Sequence, residues 1–196
     1  METINTLLTR VSVSNLTDPY PLKKDMDLVY QAALRAPDHG RLRPWRFIQV
    51  TDSGRERLGN IFVKSAKKNN IIEESKLSKF KLLPLRAPMV IILITNVMDV
   101  PKIPPTEQIQ STAAATQNMM LALHDMGFGS IWKTGAFTSI NNKFIAEDLS
   151  LSKNSEVVGY LYVGTPKGNI KDIPELKNSD YVLSLIHISE PTRPLI

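Results

Sequence analysis

The sequence contains no cysteine. Disulfide bridges, thiolate metal sites and cysteine nucleophiles are therefore excluded. Long apolar runs are also absent: the longest, Met89 to Ile94, is far shorter than the ~20 residues that a membrane-spanning helix needs. The N-terminal stretch from Met1 to Arg10 includes Glu2 and has no continuous apolar core, so no signal peptide is expected. These absences favour a cytoplasmic protein that has no membrane partner.

What is present is the composition of an ordinary globular domain. Of the 196 residues, 42% are apolar and 22% are charged, which is enough to bury one substantial core. The net charge of +5 favours anionic partners, but the basic residues are scattered. The lysine-rich stretch 55–83 is interrupted by Glu73 and Glu74 and has no ladder of aromatic residues. A nucleic-acid partner is therefore not expected.

The C-terminal run from Leu183 to Pro194 resembles the in-frame translation of a transposase-type sequencing adapter, which Leu195 and Ile196 continue. We therefore predict one domain over residues 1–182 and a non-native tail over residues 183–196. The alternative is a genuine amphipathic tail. His187 lies in this tail, so it is not counted among the candidate catalytic residues.

Apolar spacing and turn residues predict an order of helices and strands. The predicted elements are a helix ending near Arg10, a helix from Lys24 or Asp25 to Arg35 with Leu28, Val29, Ala32 and Ala33 buried, a strand from Trp45 to Val50, a turn at Asp52–Gly54, two helices between Arg55 and Leu83 that break at Asn69–Asn70, a strand from Met89 to Thr95, a helix from Glu107 to Met126 capped by Thr106, a short strand after Gly129, a helix from Thr138 through Asp148, and a strand from Val157 to Gly164. Helices and strands are mixed through one compact domain, which favours a single mixed sheet covered by helices.

Two of these elements are predicted to lie at the centre of the protein. The strand from Met89 to Thr95 is apolar on both faces, as expected of a strand with helices on each side. The helix from Glu107 to Met126 has almost no charge before Asp125. It is therefore either central in the domain or part of a subunit interface.

One loop carries an unusual concentration of polar and aromatic side chains. The stretch from Arg35 to Phe47 holds four arginines, His39, two prolines and a tryptophan. Pro37 and Pro44 restrict the residues before them to extended conformations, so the backbone is stiff. Because binding residues are often found on loops, this stretch is predicted to hold a flat anionic ligand.

Two further stretches have residue types that suit a phosphate. Arg10 followed by Ser12 offers a cation with a fork of donors and a neutral hydroxyl. An equally good local interpretation is that Arg10 neutralises the C-terminal end of the first helix. The Gly127-Phe128-Gly129 stretch precedes Lys133 and Thr134, but it lacks the six-residue dinucleotide fingerprint and is a weak signal alone.

Together these stretches resemble the flavin-dependent nitroreductase family, in its short bacterial branch of NAD(P)H nitroreductases. The stretches that carry the resemblance are Arg10 with Ser12, Arg35 to His39 with Pro44-Trp45, Arg86-Ala87-Pro88, Gly127 to Gly129 leading to Trp132, and Gly159 to Pro166. Their order and spacing cover residues 3–182. The resemblance implies an α+β fold with a largely antiparallel sheet and a homodimer with two FMN sites in the subunit interface.

The resemblance also implies roles for particular residues. The residues expected to contact FMN from one subunit are Arg10, Val11, Ser12, Trp132, Lys133 and Thr134, and those expected to reach it from the other subunit are Arg35 and His39. The residues expected at the NAD(P)H site are Ala122, Leu123, His124, Asp125, Met126 and Gly127. His39 has an alternative role as a loop histidine that braces the backbone. For His124 we prefer a structural role, as a cation at a helix C-terminus.

The family resemblance implies a ping-pong reaction. NAD(P)H would give hydride to the flavin N5, and an electron-poor acceptor such as a nitroaromatic or quinone would take it up, so that no catalytic side chain and no metal is required. The alternative is a flavin-binding sensor or carrier without efficient turnover.

Three positions depart from the family pattern. Val11 stands where a second basic residue is common, and Ser14 and Asn15 stand where basic character often recurs. These departures remove positive charge near the flavin, which Lys133, or Arg35 of the partner subunit, can compensate. The domain sequence also ends shortly after Val182, where family members wrap the other subunit, so a weakened dimer is expected.

Overall fold

The fold consists of helices on both faces of one antiparallel sheet. The computed structural model describes residues 2–139 and 141–184, so residues 185–196 of the predicted tail lie outside the described residues. Within the described ranges the helices and strands are α1 (Thr3–Thr9), β1 (Leu16–Thr17), α2 (Lys23–Ala33), β2 (Trp45–Thr51), α3 (Ser53–Lys68), α4 (Glu74–Leu82), β3 (Met89–Asn96), α5 (Pro105–Asp125), β4 (Gly129–Lys133), α6 (Ile145–Asp148) and β5 (Ser155–Pro166). No helix of these ranges is long and apolar enough to span a membrane.

The strands follow the order β1-β5-β3-β2, and β4 also pairs with β5. The four pairings among the described strands are all antiparallel, so the α+β fold with a largely antiparallel sheet is confirmed. The predicted central strand is confirmed as well, because β3 lies between β2 and β5 and its residues from Met89 to Thr95 are buried.

Successive side chains of β3 point to opposite faces of the sheet, and each face has its own core. Ile92 and Ile94 pack with Phe62 of α3 and with α4, whereas Ile91 and Leu93 pack with α2 and α5. Helices therefore cover both faces, which explains why β3 is apolar throughout. The long helix α5 is central in the domain, one of the two positions predicted for it.

Several local predictions were wrong for identifiable reasons. In α2 the buried residues are Met26, Val29 and Ala33, whereas Leu28 is 53% exposed. Ser53 and Gly54 do not form a turn, because the chain reverses at Asp52 with φ 48° and α3 begins at once.

Two predicted helix caps were also wrong. The helix α5 begins at Pro105, a residue preorganised for the first helical position, rather than after a Thr106 cap. Thr138 does not cap a long helix, because its hydroxyl donates to Gly135 O and Asn142 Oδ1 accepts from Phe144 N–H. Such local side-chain bonds compete with helix formation, and only the short α6 remains.

The short helix α6 is anchored to α3 by one buried carboxylate. The Asp148 side chain is 0% exposed and accepts hydrogen bonds from Ser65 Oγ and from Lys68 Nζ at 2.7 Å, with Lys64 Nζ at 3.0 Å. Burial alone raises the pKa of Asp148, but the hydrogen bonds from Lys68, Ser65 and Lys64 outweigh it and hold the pKa below its usual value. A carboxyl group that is more acidic when folded stabilises the fold above its unfolded pKa, about 3.9.

Asp148→Asn is expected to lower the free energy of unfolding by about 2 kcal/mol at pH 7. This is less than the usual cost of breaking a buried ion pair, because the two lysines are partly exposed and rehydrate. Since the Asp148 contribution disappears as the pH falls through its lowered pKa, the difference between variant and wild type should shrink below about pH 4. Urea unfolding at pH 7 and pH 3 measures both effects. The control is Glu147→Gln, which alters an exposed partner of Lys68. Its free energy of unfolding should stay close to that of the wild type.

Candidate functional site

The N-terminal segment places Arg10 and Ser12 beside β4. After α1 the chain is extended, and Val13 N–H donates to Ser130 O at 3.0 Å. Gly129 at the start of β4 lies against Leu16 and Val13, so the segment and β4 run in opposite directions. Arg10, Val11 and Ser12 therefore extend toward the end of β4 that carries Trp132 and Lys133. The sequence proposed these two groups as one site, and the fold brings their segments side by side.

Arg10 carries a buried donor that the described residues leave unpaired. Its Nη1 atom has no hydrogen-bond partner there, and no carboxylate of the described ranges forms an ion pair with this guanidinium. A buried donor without a partner costs free energy, more so when it is charged. An anion next to Arg10 would remove that cost, so the donor set suits a phosphate.

Lys133 lies near a second cation. Its Nζ is 5.4 Å from the centre of the Tyr162 ring, and no carboxylate within the described ranges pairs with it. Burial, and then the positive charge of Arg86, lower the pKa of Lys133. Burial raises the pKa of Tyr162 to about 12, against the opposing effect of Arg86, so this phenol is neutral at pH 7. Arg86 had no predicted role, although a cation three residues before the central strand was a visible signal.

The remaining residues of this group differ in exposure. Trp132 is half-buried and its Nε1 lies so close to Gly159 that a Cβ on Gly159 would be 2.1 Å away. The indole therefore rests on β5. Val11 is half-buried, whereas Ser12 and Thr134 are exposed. Asn15 donates to Lys167 O, which shows a structural use for one of the positions that depart from the family pattern.

The arginine-rich loop after α2 has a constrained backbone. Gly40, Arg41 and Arg43 adopt left-handed φ angles of 69°, 55° and 49°, which cost side-chain-bearing residues free energy. The Asp38 carboxylate holds this conformation by accepting from Arg43 N–H at 2.6 Å. The prediction that Pro44 keeps Arg43 extended was wrong: Arg43 is left-handed, because its backbone N–H is bound to the Asp38 carboxylate.

An open cavity of about 710 Å³ lies between this loop, α2 and β2. The residues that line it are Tyr30, Leu34, Arg41, Leu42, Arg43, Trp45, Arg46 and Phe47. Arg46 Nη1 is held by Arg43 O and Trp45 O. The three arginines that had no predicted role thus share one cavity wall, and Arg35 and His39 are not part of that lining.

His39 is held by a residue that the sequence did not indicate. Its Nδ1 lies 2.6 Å from Glu107 Oε2, in the first turn of α5. The two residues are far apart in the sequence, and no local pattern connects them. Arg35 is exposed at the end of α2.

The helix α5 separates the two groups of predicted FMN residues. His39 contacts Glu107 near its start, whereas Arg10 follows Thr9, whose Oγ1 lies 2.9 Å from Nε2 of His124 near its end. At 1.5 Å per residue, Glu107 and His124 are about 25 Å apart. Within one chain, His39 and Arg10 therefore lie at opposite ends of this helix.

The predicted NAD(P)H residues form the last turn of α5 and the turn after it. Leu123 is fully buried, His124 contacts Thr9, and Asp125 Oδ1 accepts from Thr6 Oγ1 at 3.1 Å. Gly127 has φ 83°, and a Cβ built on it would have no described atom within 4 Å. His124 lies in the last turn of α5, and its structural role as a cation at the helix C-terminus stays a prediction.

Comparison with known proteins identifies the class. Residues 7–165 match the Nitroreductase family, so the chain belongs to that family of oxidoreductases, as its resemblance predicted. A curated relative, "Putative NAD(P)H nitroreductase YdjA" of Escherichia coli K12, is 31% identical over 167 residues, which is 85% of this chain and 90% of the relative.

Solved structures share the fold. A nitroreductase-like family protein from Bacillus cereus has a TM-score of 0.79 at 22% identity and covers 94% of this chain and 96% of its own. A Bacteroides fragilis nitroreductase with bound FMN has a TM-score of 0.72 at 19% identity and covers 94% of this chain and 99% of its own. These likenesses confirm the nitroreductase-like fold.

Proposed function

We propose that this protein is an FMN-dependent NAD(P)H oxidoreductase that reduces nitroaromatics, quinones or similar electron-poor acceptors. The observation that carries the proposal is the buried Arg10 donor, which has no hydrogen-bond partner among the described residues. It lies beside a strand that ends in Lys133, a cation to which no described carboxylate is bound. Membership of the Nitroreductase family and the FMN in the Bacteroides fragilis structure support flavin as the ligand.

The residues present fit this cofactor. Bound FMN would supply hydride transfer from NAD(P)H to the acceptor in two half-reactions of a ping-pong cycle. Arg10 and Ser12 would bind the phosphate, with Arg10 gaining a partner for its buried donor. Lys133 and Arg86 provide positive charge, which would stabilise the electron-rich ring of the reduced flavin. The half-buried Trp132 would cover one side of the bound cofactor at that end of β4.

The functional unit in this proposal is a homodimer, and each site uses both chains. The distance of about 25 Å along α5 supports this, because Arg10 and His39 are too far apart to share a cofactor within one chain. A second chain would have apolar surface to cover. It consists of the exposed face of α1, formed by Ile4, Leu7 and Leu8, and the exposed apolar residues of the segment 170–182. Arg35 of the partner subunit and His39 of the partner subunit would complete the site.

We place NAD(P)H at Ala122 to Gly127. The open space at Gly127 leaves room for a ligand to approach the backbone there. The side chains of His124 and Asp125 are hydrogen-bonded to Thr9 and Thr6. They would therefore line the nucleotide site in set orientations.

The purified protein is expected to be yellow, and anaerobic addition of NADPH or NADH is expected to bleach the oxidised-flavin absorbance. Acceptors such as a nitroaromatic or a quinone should then restore the colour. Titration with each nucleotide in turn measures the preference between them. A protein that takes up no FMN would contradict the proposal. Yellow protein that neither nucleotide bleaches would instead support a flavin-binding sensor or carrier.

A further inference from the structure

The contact between His39 and Glu107 joins two otherwise separate parts of the chain. His39 lies in the 3₁₀ turn His39–Arg41, and Glu107 lies in the first turn of α5. The distance of 2.6 Å between Nδ1 and Oε2 is that of a short charge-assisted hydrogen bond. The side chains are 60% and 42% exposed, so the pair adds little to the stability of the fold.

The loop does not need this contact to keep its shape. The Asp38 carboxylate holds Arg43 N–H, and Gly40 packs so closely on the buried Ile103 that a Cβ would be 2.4 Å from Ile103 Cδ1. These contacts hold the backbone on both sides of His39. The effect of Glu107 is therefore expected on the imidazole itself.

A carboxylate on one ring nitrogen decides what the other nitrogen can do. Glu107 accepts a hydrogen bond, so Nδ1 carries a proton whether the ring is neutral or charged. Nε2 is then the atom left for another partner, in an orientation set by the bond at Nδ1. Carboxylates fix histidines that bind metals or act in catalysis in the same way.

We propose that Glu107 is a positioning residue of the flavin site: it holds His39 with Nδ1 protonated and presents Nε2 to the cofactor bound mainly by the other chain. This inference rests on the proposed function, because it assumes that His39 contacts that cofactor. It adds a residue on α5 to a site otherwise built from β4, Arg86, the N-terminal segment and the loop after α2.

The first test is nitrogen-15 NMR of the cofactor-free protein in alkaline buffer, where the imidazole rings are neutral. The chain has three histidines, and His39→Gln identifies the His39 signals. In the wild type, Nδ1 should have the shift of a protonated ring nitrogen and Nε2 that of an unprotonated one. In Glu107→Ala the two should exchange or average, since no carboxylate holds the proton at Nδ1. Unchanged His39 shifts in that variant would overturn the inference.

The second test is FMN affinity, followed by the quenching of flavin fluorescence. Glu107→Ala should weaken the Kd about tenfold, the size expected for one hydrogen bond of a charged group. Glu107→Gln should retain part of the affinity, because its amide oxygen still accepts from Nδ1. The double variant His39→Ala with Glu107→Ala should bind no more weakly than His39→Ala alone, since Glu107 acts only through His39.

Glu74→Ala is the matched control. Glu74 is an exposed acid in the first turn of α4. Its removal therefore changes the net charge, and the charge at a helix N-terminus, in the same way as Glu107→Ala does. Its FMN affinity should equal that of the wild type. Wild-type affinity in Glu107→Ala, or additive losses in the double variant, would overturn the inference. If the wild type itself bound no FMN, the proposed function would fail, and the NMR spectra alone would decide whether Glu107 sets the tautomer of His39.

Discussion

A mixed dimer of one Arg10→Ala chain and one Arg35→Ala chain is expected to bind one FMN with wild-type affinity, although neither variant binds well alone. If each site takes Arg10 from one chain and Arg35 from the other, both substitutions fall in the same site of the mixed dimer. Its second site then has both arginines. The Arg10→Ala homodimer should bind FMN about a hundredfold more weakly, the low end of the cost of truncating a buried charged partner.

The mixed dimer can be isolated with two different affinity tags after co-expression, and FMN stoichiometry can be measured by absorbance. Arg57→Ala is a suitable control, since Arg57 is an exposed arginine on α3 far from β4 in the sequence, and its homodimer should bind two FMN normally. If each site belonged to a single chain, the mixed dimer would have two damaged sites and no tight binding. That result would refute the shared site while leaving FMN as the cofactor.

Gly159→Ala is expected to have the largest effect on stability. A Cβ at this position would lie 2.1 Å from Trp132 Nε1 and 2.8 Å from Lys133 O. The second atom belongs to the backbone of β4, so the strand cannot move away as a flexible side chain would. Overpacking of this kind typically costs 1–3 kcal/mol, and we expect about 3 kcal/mol because the pairing of β4 with β5 must shift. Displacement of Trp132 and Lys133 should also weaken FMN binding.

Urea unfolding measures the stability of Gly159→Ala, and near-ultraviolet circular dichroism follows the packing of Trp132. Gly54→Ala is the comparison: Gly54 lies in the first turn of α3, and a Cβ there would meet only the Val50 side chain at 3.2 Å. Its stability should stay within about 1 kcal/mol of the wild type. Equal stabilities of the two variants would show that the indole does not require a glycine at position 159.

The strands and most helices could be predicted from the sequence because their apolar patterns are strong. The run from Met89 to Thr95 has no polar interruption before its final threonine, and the break at Asn69–Asn70 separates two lysine-rich helices as predicted. Predictions failed where two local patterns compete. Leu28 and Val29 are neighbours on α2, and only the tertiary packing decides which of them is buried.

The site was less predictable because its members are distant in the sequence. The segments that carry Arg10 and Lys133 lie side by side, because Val13 N–H donates to Ser130 O, and no spacing rule connects such segments. The family resemblance implied roles for most of these residues but none for Arg86 or Glu107, whose roles depend on the side chains that they face.

The position of β5 in the chain has a consequence for folding during synthesis. This strand pairs with β1, β3 and β4, and it places Leu16 opposite Pro166. Pairings between distant residues form slowly, and this one must wait until nearly the whole domain has been made. Until then the apolar β3 has β2 on one side and an open edge on the other, which is a template for aggregation. The last strand therefore determines when the nascent chain is protected from self-association.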